Sequence, residues 1–141
     1  MSLSDILAAE VFKNKWFNHW ARREAIDDKA LFNAAQEVAE GKVDADLGGC
    51  LFKKRLPKPG QGKRGGYRVL VGYKKHSVDR IIFLYAFAKN DKANISLREE
   101  AALSLATESF VSSTEEQLLK LLTTNSLWEV ECHEWNFGYC P

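Results

Sequence analysis

Eight consecutive residues, Ile81-Ile82-Phe83-Leu84-Tyr85-Ala86-Phe87-Ala88, carry no charge, and the Tyr85 hydroxyl is their one polar group. A strand with this composition has no face suited to water, so it belongs at the centre of a sheet covered on both sides. The stretch before it, Tyr67 to Tyr73, alternates, with Tyr67, Val69 and Val71 on one face and Arg68, Leu70 and Gly72 on the other. Cys50 to Leu56 is a further strand candidate with basic residues through it. The loop from Pro57 to Gly66, rich in proline and glycine, can sustain neither helix nor ladder. The connections between these strands are too short for crossover helices, so the middle of the chain predicts an antiparallel meander with a turn near Lys74–Asp79.

The cover for that sheet comes from the flanks. Phe17, Trp20, Ala21 and Glu24 fall at helical spacing, and Leu31, Ala34, Ala35 and Val38 line one side of a second helix. Asp27 or Asp28 caps the second helix and Gly41 sits where it should stop. Ahead of this hairpin, Ala8 to Lys13 is a short extended piece. After the strands, Ser96-Leu97-Arg98-Glu99 has capping-box spacing and opens a third helix with Leu97, Ala101 and Leu105 aligned. Ser113 to Glu116 repeats the signal, and Leu127 to Cys132 suggests an edge strand. The expected fold is α+β: a small antiparallel sheet with an N-terminal helical hairpin on one side and C-terminal helices. A chain of 141 residues has room for one such core, so residues 1–141 form a single domain, with 135–141 read as an irregular tail.

A net charge of +1 hides a strong segregation. Lys53 to Lys92 holds twelve basic residues against Asp79 and Asp91, a balance of +10, while the remainder holds eight basic against seventeen acidic, a balance of −9. A basic centre between acidic flanks points to a polyanion as ligand. No apolar run is long enough to span a membrane, and Met1 to Glu10 lacks the basic start of a signal peptide. The odd count of cysteines, Cys50, Cys132 and Cys140, fits reduced thiols and a cytoplasmic setting. Cys132, His133 and Cys140 are too few, and wrongly spaced, for a zinc site, so neither metal nor cofactor is expected.

Val43-Asp44-Ala45-Asp46-Leu47-Gly48-Gly49 runs into Lys53-Lys54-Arg55 and the Pro-Gly loop; Gly65-Gly66-Tyr67-Arg68 follows, and the apolar strand ends in Ala88-Lys89-Asn90. From about Phe12 to the last strand this pattern resembles the RelE/HigB-like toxins of type II toxin–antitoxin systems, in particular those paired with a helix-turn-helix antitoxin. The resemblance implies a RelE-like fold, metal-independent endoribonuclease action on messenger RNA, often on the ribosome, inhibition of translation, and neutralisation by a cognate antitoxin. The alternative within the same fold is a ParE-like gyrase inhibitor or a plain nucleic-acid-binding module.

Cleavage of RNA by its own 2′-hydroxyl requires deprotonation of that hydroxyl, stabilisation of the pentavalent phosphate and protonation of the leaving oxygen. Lys53, Lys54, Arg68 and Lys89 are the catalytic candidates. A lysine among like charges has a lowered pKa, which would suit Lys53 or Lys54 to act as base, and Arg68 offers a planar fork to a phosphate. Arg55, Lys58, Lys63, Arg64, Asn90 and Lys92 are candidates for RNA contact, and Tyr67, Tyr85 or Phe87 for stacking a splayed base. The blander roles are core packing for the aromatic rings and solvated charge for any one lysine. Relatives of RelE often carry a Tyr or His near the start of the last helix or at the C-terminus as a proton-transfer group. Here Asp91 to Ser96 offers only Lys92 and Asn94, with His133 and Tyr139 near the C-terminus.

Overall fold

The computed structural model describes residues 9–60, 66–75, 79–92 and 94–131. Lys63, Arg64, His133, Tyr139, the cysteine–histidine group at 132–140 and the proposed tail lie outside them. Among the described residues, Ala9–Asn14 (β1), Ala45–Asp46 (β2), Leu51–Leu56 (β3), Tyr67–Lys74 (β4), Asp79–Ala88 (β5) and Leu127–Glu129 (β6) build one sheet in the order β2-β3-β4-β5-β1-β6. The helices are α1 (Lys15–Arg23), α2 (Asp28–Ala39), α3 (Leu97–Val111) and α4 (Glu115–Thr123).

The apolar run of β5 is covered on both sides, as its composition requires. Ile81, Phe83 and Ala86 enter one core with Phe17, Trp20, Leu31 and Val38 of the α1–α2 hairpin. Ile82, Leu84 and Phe87 enter a second core with Phe110 of α3 and Leu118 of α4. Burial of one such phenylalanine contributes roughly 1.5–3 kcal/mol, and Phe83 is fully buried. The fold is therefore α+β, with a helical pair on each face of a mostly antiparallel sheet.

The meander β3-β4-β5 is antiparallel, but β1 joins β5 in parallel. The chain leaves β1 through the helical hairpin and re-enters at the far edge, so β1 occupies the slot beside β5 rather than continuing a meander. A register shift after Leu70 pairs Leu70 with Tyr85 and Val71 with Phe83, leaving Leu84 as the extra residue of a bulge. Asn14 donates from Nδ2 to the Leu84 carbonyl at 3.0 Å, and its Oδ1 accepts from the Phe17 N–H to cap α1. Asp27, rather than Asp28, caps α2. That helix closes on Gly41 at φ +85, where Lys42 N–H donates to Glu37 O and Gly41 N–H to Val38 O.

Three sequence expectations need correction. Leu97, Ala101 and Leu105 do share a helix face, but the face is turned outward, Leu97 being 86% exposed. Thr107 and Phe110 make the buried side, because the sheet surface beneath α3 accepts a small side chain opposite Gly72. The cap of α4 is Thr114 with Gln117, one residue later than read. Cys50 does not start β3; it takes a left-handed conformation at φ +68 in the turn that adds the short strand β2.

Candidate nucleic-acid interface

The ladder turns single residues into rows. Arg55, Arg68 and Phe87 stand opposite one another across β3, β4 and β5, and Lys53, Leu70 and Tyr85 form the next row. Facing residues in a ladder share a side of the sheet, so three cations and two aromatic rings lie on one face. A third row, Leu51, Gly72 and Ile82, is where α3 seats: a Cβ on Gly72 would come within 2.9 Å of Thr107 Cγ2. Leu70 and Phe87 are buried as the floor, while Lys53, Arg55 and Tyr85 keep contact with solvent.

Two arginines directly opposite each other repel unless a charge intervenes. Asp44 supplies it, with Oδ2 3.4 Å from Arg68 Nε and 4.0 Å from Arg55 Nε. The Asp44 N–H donates to the Lys53 carbonyl at 2.8 Å, which fixes the carboxylate beside β3. The Arg68 side chain is only 12% exposed and Arg55 45%, so one guanidinium is held and withdrawn and the other reaches out. A partly desolvated, restrained guanidinium is suited to a phosphate oxyanion.

Lys92 closes the rows on the β5 side. Its Nζ lies 3.0 Å from both Glu99 carboxylate oxygens, 5.4 Å from the Tyr85 ring centroid and 5.8 Å from that of Phe87. The hydrogen bond to Glu99 raises the Lys92 pKa, with Tyr85 adding a smaller contribution. Glu99 is also the partner of Ser96 in the α3 capping box, and the Ser96 backbone N–H, followed by Lys92, pulls its carboxyl down to about 2. Lys89 and Asn90 are exposed in the turn that follows β5.

Other candidates are not brought to this face. Lys54 points to the opposite side, 10% exposed, with Nζ 3.1 Å from Glu37 Oε1 and donating to the Lys42 carbonyl at 2.9 Å. Its neighbours are acceptors on and after α2, not the crowd of like charges expected from the sequence. Tyr67 also packs on the hairpin side, donating its hydroxyl to Glu24 Oε1 at 2.6 Å with its ring edge-on to Trp20. Burial, then Glu24, pushes its phenol up to about 12, the signature of a neutral core hydroxyl. Lys58 rests 5.8 Å over that ring. Arg80, one of the twelve cations, is a staple joining Glu10 of β1 to Glu115 and the Ser113 carbonyl at the start of α4.

Two residues at the face had no assigned role in the sequence. Asp44 gave no local signal, since only pairing places it between the arginines. Trp16 did carry one: it lies four residues before Trp20, off the apolar stripe of α1, and the structure leaves it 43% exposed with its ring 4.6 Å from Tyr85.

Residues 9–130 match the family model of the RelE toxin of RelE/RelB toxin–antitoxin systems. The chain belongs to the RelE toxin family. The match covers every strand and helix described above, so this RelE-family protein is the toxin of a toxin–antitoxin pair and has a cognate antitoxin. No curated protein and no solved structure matches it. Among the described residues, no helix is long and apolar enough to cross a membrane.

Proposed function

We propose that this RelE-family toxin is a metal-independent endoribonuclease that cuts messenger RNA on the ribosome and so stops translation. The observation that carries the reading is the pair of rows Arg55–Arg68–Phe87 and Lys53–Leu70–Tyr85, which sets three cations beside aromatic rings on one face, a combination suited to RNA. In this reading Arg68, held at its root by Asp44, stabilises the charge of the pentavalent phosphate, and Arg55 gathers the backbone on the exposed side. Lys53 is the basic residue of the row next to the arginines, and among the described residues it has no carboxylate partner. In this reading Lys53 moves a proton on the 2′-hydroxyl or leaving oxygen. Tyr85 offers a face to an unstacked base, with Lys89, Asn90 and Lys92 at the rim. Lys54 and Tyr67 serve the core. The antitoxin is a helix-turn-helix protein whose acidic portion covers the Lys53–Arg68 surface.

Expression without the antitoxin tests the reading. Rapid arrest of translation with new 5′ ends inside coding regions is the expected result. Filamentation with intact messages would overturn it in favour of gyrase inhibition, and healthy growth would remove toxicity by either route.

A further inference from the structure

The face has an aromatic extension that the phosphate chemistry does not use. Trp16, at the start of α1, stacks on Trp20 at 6.5 Å and 8° and meets Tyr85 at 4.6 Å and 34°. Tyr85 continues to Phe87 at 6.4 Å, and Lys92 lies over both of those rings. Trp20 belongs to the hairpin core and Tyr85 to the opposite face, so Trp16 wraps the edge of β5 just past the end of β1. Trp20, by contrast, is almost fully buried. Trp16 meets both rings and is still 43% exposed, so part of the indole reaches water next to Tyr85, over which Lys92 lies.

We infer that Trp16 and Tyr85 together form a stacking subsite for one unpaired nucleobase of the RNA held at Arg68. The spacing fits a single nucleotide. Arg68 pairs with Phe87, and Tyr85 is the diagonal neighbour two residues away, about 7–8 Å between Cα atoms. A phosphate on Arg68 therefore leaves its own or the adjacent base within reach of Tyr85 and Trp16. The subsite is sequence-tolerant, because every base has a π-face, and it favours purines by area. Lys92 adds cationic character above Tyr85 and makes the platform amphipathic rather than simply greasy. This inference rests on the ribonuclease reading.

The test uses the full chain and single-stranded RNAs of one length, each with one abasic position. Intact RNA should bind Trp16→Ala roughly 5- to 150-fold more weakly than wild type, the value of one base–aromatic stack. Wild type should show a matching loss at one abasic position, and Trp16→Ala should show no further loss on that RNA. Trp16→Leu, which keeps apolar volume without a π-face, should behave like Trp16→Ala, and Trp16→Phe should recover most of the affinity. An equal loss on every abasic RNA would mean that the substitution acts through the fold, and overturns the subsite. So would wild-type RNA affinity in Trp16→Ala, or a loss confined to antitoxin binding. If wild type cleaves RNA while Trp16→Ala is unaltered, the subsite alone falls; if wild type neither binds nor cuts RNA, whether free or on programmed ribosomes, both readings fall.

Discussion

Replacing Arg68 by alanine removes a guanidinium that is largely withdrawn from water and pinned by Asp44. Two consequences differ in kind and can be separated. The first is loss of a preorganised donor at the developing phosphate charge, worth roughly 2–4 kcal/mol, or about 30- to 1000-fold in the bound-state cleavage rate. The second is the Asp44 carboxylate left behind, whose remaining neighbour Arg55 is 4.0 Å away. At about 6 Å from a bound phosphate, that charge repels by roughly 0.7 kcal/mol in water-like surroundings and 2.8 kcal/mol at an effective dielectric of about 20. Arg68→Ala should therefore weaken RNA binding as well as slow cleavage. The double variant Arg68→Ala/Asp44→Asn should regain binding and stay slow. Single-turnover cleavage at saturating protein reads the rate, and fluorescence anisotropy reads the affinity. If Arg68→Ala/Asp44→Asn cleaves as fast as Asp44→Asn alone once bound, Arg68 does not stabilise the transition state and the site is misplaced.

Lys54→Met should cost no more than about 1–2 kcal/mol, because Glu37 keeps solvent, and should leave bound-state cleavage at the wild-type rate; a large catalytic loss would return Lys54 to the site. Gly72→Ala should destabilise by about 1–3 kcal/mol by forcing α3 away from β4, and Thr107→Ser in the same chain should recover part of that; strictly additive losses in denaturant melts would refute the contact. Tyr67 should lose its proton near pH 12 by phenolate absorbance; since its folded pKa is raised, its contribution to stability is complete below about 10 and declines as pH rises toward 12, a dependence Tyr67→Phe removes. Glu99 runs the other way: with its carboxyl pulled down to about 2, its anchoring of Lys92 and Ser96 is present above its ordinary pKa and is lost as pH falls toward 2, which a carboxyl NMR titration follows. Antitoxin association should slow as salt rises from about 50 to about 500 mM if an acidic segment seeks the basic face.

Local pattern made much of this architecture readable. The unbroken apolar run of β5 demanded two covering layers, the 3.6-residue stripe through Phe17, Trp20 and Ala21 and that through Leu31 and Val38 supplied one of them, and alternation from Tyr67 to Gly72 assigned opposite faces to Tyr67 and Arg68. Those are short-range signals, because the period of a strand or helix is written in neighbouring residues. The family was legible too, since the resemblance rests on short runs of neighbouring residues such as Gly65-Gly66-Tyr67-Arg68 and Ala88-Lys89-Asn90. The stripe of α3 misled, because Leu97, Ala101 and Leu105 satisfy the helical period as well as Thr107 and Phe110 do, and periodicity does not say which side meets the sheet.

What tertiary structure alone decided is who stands beside whom. Lys53 and Lys54 are adjacent in sequence, and the pleat sends them to opposite faces, one toward the arginines and the other into Glu37. Asp44 lies eleven residues from Arg55 and twenty-four from Arg68, and only the β2–β3 pairing sets its carboxylate between them. Trp16 and Tyr85 are brought together by the parallel insertion of β1 beside β5, which no local pattern announces. The sequence determined by itself most of the strands and helices and the gathering of its basic residues in the middle of the chain; pairing between distant segments, driven by burial on both sides of one sheet, added β2 and selected which of those charges and rings share a face.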